Sequence, residues 1–488
     1  MMDNQKIPYI IAFLPILILI ILLSVNVIIF ENAIGGPNQI ALIFAGTIAS
    51  IVGIIYGCKW QKIIEGISNS IKSVVPAIIM LLLIGALSGT WLISGVIPTM
   101  IYYGLQILNP KIFLFATAII TAIVSLSTGS SWSTIATVGI ALLAIGTAMG
   151  LPIGLIGGSI ISGAYFGDKM SPLSETTNMA AAIGGVDLFD HIKYMMLTTI
   201  PSFLITIIIF LIIGFYFDTN ISSQQISQAT EVIANKFNIS IWLFLVPIFV
   251  IVMIIKKVSA IPALLFGTIL GAIFAIIFQP SIVIEISGMS SSNISSYYIG
   301  IVNSMIGDVN FNSVNTTIND IFNIGIADRS DLLKSGGMYG MLNTLLLIFS
   351  AMIFSGSIEA TGLLNRVAYP IVEYAKSTGS LIASTATTCI FFNLTTSDQY
   401  MSIVVPGRMY SKTYEEKKLA PENLSRTLED SGTVTSVLIP WNSCGATQSA
   451  VLGVATLAYL PFCFFNLISP LMTIAYGYFG IKIKKLRK

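Results

Sequence analysis

The sequence predicts an all-α protein that crosses a membrane many times, and three observations carry that prediction. Of its 488 residues 55% are hydrophobic and only 9% charged, whereas soluble domains carry about 25% charged residues. The apolar runs have about the 20 residues a helix needs to cross the hydrocarbon, not the ~10 alternating residues of a barrel strand. Polar residues gather in short stretches between those runs, most densely in Gly167 to Asn178, GDKMSPLSETTN. A net charge of +2 points to no strongly charged partner. No segment reads as a nucleic-acid module, so the expected partners are the lipid bilayer and small solutes.

Taken in order, Ile7 to Phe30 is too long for a signal-peptide core and meets Glu31 without a small-residue cleavage site, so it reads as a retained first span. Lys6 precedes it, and Lys59, Lys62 and Lys72 follow a second span at about Ile40 to Tyr56; both flanks read as cytoplasmic. Lys256, Lys257 and the tail Lys482, Lys484, Lys485, Arg487 and Lys488 fit the same side. Between Val258 and Asp328 there is no Lys or Arg, while Glu285, Asp308 and Asp320 stand in a Ser/Asn-rich loop that should face outward. Cys58, Cys389, Cys444 and Cys463 have no paired or metal-ligand spacing and read as reduced packing residues.

These markers give Val74 to Gly95 and Met338 to Ala360 opposite directions, and the two are alike. Gly89 to Ile97, GTWLISGVI, can be laid on Gly356 to Leu364, GSIEATGLL. Leu126 to Trp132, LSTGSSW, matches Leu394 to Tyr400, LTTSDQY, and GDKMSPLSETTN can be laid on Ser431 to Asn442, SGTVTSVLIPWN. The offsets are 267, 268 and 264. Matches in order at nearly one spacing, with opposite orientation, indicate an inverted repeat. Basic residues on both flanks of Ser380 to Lys412 then require a re-entrant hairpin with LTTSDQ at its tip. By inversion Lys111 to Gly150 is a hairpin from outside with LSTGSS at its tip, and Leu151 onward is a crossing helix broken at GDKMSPLSETTN. The expected organisation is N-terminal spans at 1–72, a first repeat at 73–218, linking spans and the outward loop at 219–337, and a second repeat with a basic tail at 338–488.

Unwound backbone and charge at membrane depth are tolerated only where protein, water or a ligand satisfies them. Pro172 stops the helix and frees carbonyls, which join Ser171, Ser174, Thr176, Thr177, Asn178, Asp168 and Glu175 as hard oxygen ligands for a cation such as sodium. Burial favours the protonated form of a carboxyl group and a bound cation favours the carboxylate, so proton and sodium compete for one group. Competition at a site exposed alternately to each side is antiport. An interfacial loop is the plainer reading of the stretch taken alone.

At these residues the sequence resembles the NhaC family of sodium/proton antiporters. That family carries a stretch like GDKMSPLSETTN, a run like Asp187 to Met195, DLFDHIKYM, and a run like Glu429 to Gly445, EDSGTVTSVLIPWNSCG, all present here in order. The likeness includes Lys334 to Gly337 and the span after it; Ala180-Ala181-Ala182 departs where family members often have a proline. The tips also resemble the hydroxyl-rich hairpin tips of the wider ion-transporter superfamily, which includes sodium-coupled carboxylate carriers. The resemblance implies a secondary transporter, not an enzyme, with sodium and protons as transported species and no cofactor, in a bacterial cell membrane with both termini cytoplasmic. Relatives similar to it include malate and lactate exchangers, so small organic acids stay open as substrates, and a homodimer is compatible with it.

The candidate cation-binding or titrating carboxylates are Asp168, Glu175 and Asp398, supported by Thr128, Ser130, Thr395 and Thr396 at the tips and Asn442 at the second break. Glu175 reads equally as a cap for the restarting helix. Lys169 either neutralises Asp168 or snorkels. Glu359 and Asp430 read as solvated helix-end residues and His191 as an interfacial histidine beside Asp187 and Asp190. Trp91, Trp132, Tyr400 and Trp441 read as packing or interface anchors. A channel would show a filter-like motif, and none is present. An intramembrane aspartyl protease would need facing aspartates on continuous spans, yet Asp168 and Asp398 each lie in Ser/Thr-rich breaks. With Lys169 the only base among the tips and breaks, the site is net negative and favours a cation.

Overall fold

The computed structural model describes residues 7–30, 35–107, 109–216, 222–256, 258–322, 331–373 and 376–486. Lys6, Glu31, Lys257, Asp328, Arg487 and Lys488, used above as topology markers, lie outside the described residues. Within them the chain is helical apart from loops and a two-stranded ribbon that pairs Val309 with Ser335 and Asn310 with Lys334. That ribbon is a small departure from the all-α expectation. Eight helices are long and apolar enough to cross a membrane, or ten if two bent pairs each count as one span. The bent pairs are Gln224–Lys236 with Ile241–Ile255, at 85°, and Thr456–Phe462 with Phe464–Phe479, at 55°.

The helices are inside-out relative to those of a soluble protein. On Leu188–Tyr216, Leu204, Ile208 and Ile212 are each about half exposed, while Thr198, Ser202 and Thr206 on the opposite face are fully buried. In an apolar solvent the carbon surface can face outward, and each inward hydroxyl needs a partner at once. Ser202 and Thr206 find theirs four residues back, donating to the carbonyls of Thr198 and Ser202 at 2.8 Å.

The first hairpin consists of Pro110–Thr128 and a second arm that begins at Ser131–Thr134 and ends in Ile140–Ala148. Its second counterpart is Thr378–Thr396 and Gln399–Glu416. The arms run to 19 and 18 residues, about 28 Å at 1.5 Å per residue and close to the ~30 Å hydrocarbon core. They are therefore longer than a short re-entrant loop. The base of the first hairpin lies at one end of Leu188–Tyr216, where a β-carbon on Gly214 would come within 2.2 Å of the Lys111 carbonyl oxygen. The other end of that helix meets the C-terminal tail, through Tyr194 Oη donating to the Lys482 carbonyl at 2.7 Å. The base of the second hairpin packs beside that tail, with Gly379 against Tyr478. The bases of the two hairpins thus lie near opposite ends of Leu188–Tyr216.

The two halves carry the same succession of backbone turns. Left-handed residues fall at Gly95, Gly129, Gly150 and Gly185, and again at Gly362, Ser397, Lys418 and Gly453. The first pair is 267 residues apart and the other three are 268 apart. A tertiary hydrogen bond recurs at the same spacing: Ser125 Oγ donates to the Ala164 carbonyl, and Asn393 Nδ2 to the Gly432 carbonyl, each at 2.6 Å. The third alignment shifts by four residues. Ser174, not Asn178, corresponds to Asn442, because each caps a ten-residue helix, Glu175–Gly184 and Ser443–Leu452. Capping depends on position in the turn, not on residue identity, so matching the two asparagines misplaced the register.

Candidate functional site

Small residues draw the site together. Ile153–Met170 packs along Pro110–Thr128, where β-carbons on Gly163 and Gly167 would lie 2.1 Å and 2.2 Å from the Ala118 and Ala122 carbonyl oxygens. Close backbone approach of this kind is how helices associate without water. It brings Asp168, one residue past Gly167, to the first hairpin tip. There Asp168 Oδ2 accepts hydrogen bonds from Ser131 N at 3.0 Å and Ser131 Oγ at 2.7 Å.

The break is narrower than its composition suggests. Helix runs through Asp168 and Lys169 to Met170 and resumes at Glu175, so only Ser171 to Ser174 is unwound. The carbonyls beside the break are already engaged. Asn178 Nδ2 donates to the carbonyls of Pro172 at 2.9 Å and Ser174 at 2.7 Å, and Thr177 Oγ1 to that of Lys169 at 3.0 Å. Ser171 Oγ accepts from Leu173 N at 3.3 Å, and Ser174 Oγ caps the resumed helix at Thr177 N. In a low-dielectric interior an open carbonyl is satisfied by the nearest donor, which is why these residues hold the break.

At the second tip Asp398 caps Gln399–Glu416, with Oδ1 accepting from Tyr400 N at 2.8 Å and Oδ2 from Ser73 Oγ at 3.5 Å. Ser130 caps the first hairpin's returning arm in the same way, accepting from Ser133 N. Thr128, Thr395 and Thr396 donate to carbonyls of their own helices, those of Ser125, Phe391 and Phe392. Asn442 caps Ser443–Leu452 and donates to the Asn393 carbonyl at 3.1 Å. Glu175 is the first residue of the resumed helix, whose cap is Ser174, and it accepts from Tyr400 Oη at 2.7 Å.

A cavity of about 630 Å³ lies between the tips and the first break. Asp168, Glu175, Asp398, Thr128, Ser130, Ser174 and Thr176 line it; Ser171, Thr177, Asn178, Thr395, Thr396 and Asn442 do not. Trp132 and Tyr400 are in its wall, whereas Trp91 and Trp441 donate to the carbonyls of Gly267 at 3.1 Å and Leu394 at 2.8 Å. The three carboxylates share the cavity without closing on one point: among the described residues no three His, Cys, Asp or Glu side chains converge as a metal cluster. Each is held by a different hydroxyl or amide.

Three charged residues depart from expectation. Lys169 pairs with Asp430, both fully buried, so Lys169 neither neutralises Asp168 nor snorkels and Asp430 is not a solvated end. Lys169 also donates to Ser469 Oγ at 3.0 Å, and Asp430 accepts from Thr198 Oγ1 at 2.8 Å. His191 is buried, with Nδ1 2.9 Å from Ser425 Oγ, because Glu422–Leu428 packs over it. Glu359 is exposed one residue from its helix end, as expected. All four cysteines are free and buried. Glu429, not singled out among the candidates, is fully buried beside the cavity. The signal for it was its place at the head of the family-like run Glu429 to Gly445.

Fold and site define a polytopic helical membrane protein with an acidic, hydroxyl-lined cavity between opposed hairpin tips. A family model described as the Na+/H+ antiporter family matches residues 163–481. A protein of Alkalihalophilus pseudofirmus named Na(+)/H(+) antiporter NhaC is 36% identical over 92% of this chain and 91% of its own length. One of the same name from Bacillus subtilis is 35% identical over 90% and 92%. The Malate-2H(+)/Na(+)-lactate antiporter of Bacillus subtilis is 35% identical over 91% and 90%. The chain belongs to the Na+/H+ antiporter family, alongside the NhaC proteins.

Proposed function

We propose that this protein is a secondary active transporter that exchanges sodium ions for protons across the bacterial cell membrane. One observation carries the choice of a cation as cargo: the cavity lining holds Asp168, Glu175 and Asp398 and no lysine, arginine or histidine among the described residues. A dicarboxylate there would need cations or a dense set of donors to offset two negative charges. Lys169, next to Asp168 in the chain, is already committed to Asp430. The family membership and the names of the two NhaC relatives agree with this reading.

The proposed mechanism is competition at the cavity. Sodium enters among the carboxylates and hydroxyls, a proton leaves, and the site then turns to the other side. Two inverted repeats, at 73–218 and 338–488, would supply the alternation. The constant spacing of left-handed residues and the opposed hairpin bases support that architecture. On this reading two ~28 Å arms meeting tip to tip from opposite faces would exceed the ~40–45 Å bilayer, so they would have to tilt or stand partly in the interface. The cavity reaches the turn around Val258 to Ile261, close in the chain to Lys256; with Lys256 cytoplasmic, as its charge suggests, the cavity would face inward.

The malate/lactate relative supports a second reading, organic-acid exchange coupled to the same ions. Proteoliposomes separate the two. With purified protein, a sodium gradient alone should move protons. A flux that requires malate outside or lactate inside would overturn the simple exchange.

A further inference from the structure

A second cavity, of about 380 Å³, shares no lining residue with the first. Its volume falls within the ~300–1,000 Å³ usual for a small-ligand pocket. Four helices wall it: Glu359 comes from Leu342–Ala360, Asn365 from Leu363–Glu373, Phe392 from Thr378–Thr396, and Arg408 with Met401 and Met409 from Gln399–Glu416. It therefore lies where the second hairpin meets the end of a span.

That end marks a membrane boundary. Cys58 Sγ lies 3.7 Å from the Ala360 carbonyl oxygen, and a β-carbon on Gly53 would come within 2.1 Å of Thr361, so Pro37–Ile55 and Leu342–Ala360 finish together and Trp60–Ile93 starts beside them. Just beyond, Leu363–Glu373 buries Leu363, Leu364 and Ala368 and exposes Asn365, the pattern of a helix lying in the interface. Arg366 on it stacks 3.7 Å over the ring of Tyr9, the first residue of the first span. Span ends, an aromatic ring and an arginine in one layer set the level of the lipid headgroups.

Two opposite charges line this pocket without meeting. Among the described residues the side chains of Glu359 and Arg408 form no ion pair and no hydrogen bond, with each other or with a third group, and the Asn365 amide has no partner either. The charge that acts on Glu359 is Asp398, which has the same sign. A lone arginine would select an anion and a lone glutamate a cation, whereas the two on different walls of one cavity select a molecule that carries both charges. Phe392, Met401 and Met409 add an apolar surface for its remainder.

We propose that this pocket holds a zwitterionic phospholipid with an ethanolamine headgroup, taken from the adjoining leaflet. The Arg408 guanidinium is a planar fork that matches two phosphate oxygens, and Glu359 accepts hydrogen bonds from the ammonium. The ammonium must keep its N–H bonds, because a trimethylated nitrogen has nothing to donate to Glu359. A headgroup of net negative charge would meet Glu359 as a like charge and leave it unserved. Acyl chains pass over Phe392, Met401 and Met409, so the bound lipid ties both arms of the second hairpin to the end of Leu342–Ala360. The assignment is independent of what the first cavity carries.

Native mass spectrometry of the purified full chain in detergent tests it, with phosphatidylethanolamine, phosphatidylcholine, phosphatidylglycerol and free O-phosphoethanolamine as the probes. Phosphatidylethanolamine should bind about tenfold tighter than either other lipid, the worth of one hydrogen bond to a charged group. The free headgroup lacks the apolar contacts and should bind roughly tenfold weaker than the lipid or worse. Glu359→Gln should abolish the preference for phosphatidylethanolamine over phosphatidylcholine, and Arg408→Gln should weaken both. Equal binding of the three lipids, a preference for phosphatidylglycerol, free headgroup bound as tightly as lipid, or a preference unchanged in both variants overturns the proposal. A measurement on the unaltered chain stands beside the variants: a photoactivatable phosphatidylethanolamine should label the peptides carrying Asn365 or Met409, and labelling confined to other spans sinks it.

Discussion

Asp168 is held by two hydrogen bonds from Ser131, a residue 37 positions earlier in the chain, and it faces the cavity with its remaining capacity. Asp168→Asn preserves an acceptor for Ser131 and removes the exchangeable charge. Purified Asp168→Asn should therefore stay folded and lose sodium-driven proton flux in vesicles; a normal rate would remove Asp168 from the coupling site. Lys169, one residue on, should matter to stability. Taking one partner from a buried ion pair costs roughly 3–5 kcal/mol, whereas replacing both can be nearly neutral. Asp430→Asn should accordingly lower the denaturation midpoint in detergent more than the double variant Lys169→Met/Asp430→Asn, and the reverse order would mean the pair contributes little. That Asp168 stands beside a helix break was legible in the sequence, because Pro172, four residues on, stops the helix. The partners of Lys169 and Glu429 were not, since each lies more than 250 residues away in sequence from the group it meets.

The hairpin tips and breaks work as a backbone device. Gly129 sits at φ +69°, and a β-carbon there would meet Leu173 Cβ at 2.5 Å, so tip and break are in direct contact. The corresponding residue in the second half is Ser397, at φ +58°. A left-handed conformation costs a non-glycine residue roughly 1–2 kcal/mol. Gly129→Ala should thus destabilise the protein and slow exchange, while Ser397→Gly should leave thermal stability equal or higher. Equal tolerance at both positions would mean the first tip does not press on the break. Three short matches suggested a repeat, and the spacing of left-handed residues agrees with the registers of two of them. The third failed because a helix start is defined by which side chain caps the first turn, and serine and asparagine serve that role alike.

Across the whole molecule, the hairpin bases lie at opposite ends, one beside the Gly214 end of Leu188–Tyr216 and the other beside the C-terminal tail. With the four native cysteines buried, Asn109→Cys and Ser377→Cys offer exposed labels at the two bases. In cells, an impermeant maleimide should reach Asn109→Cys from outside and Ser377→Cys only after the inner face is opened; labelling of both from one side would break the inverted arrangement. Helical class, repeated crossing of a membrane and the break after Asp168 could be read from the chain. Each follows from local composition acting against a slab of fixed thickness, where every ~20 apolar residues must cross and every polar stretch must be explained. Which polar groups face one another could not be read that way. Whether Lys169 turns to Asp168 or Asp430, whether a freed carbonyl waits for an ion or takes Asn178, and whether Glu429 reaches Thr176 depend on how distant helices pack. In a low-dielectric interior each buried polar group settles on whichever partner that packing brings within about 3 Å, and the packing here is set by glycine-lined contacts between segments far apart in the chain.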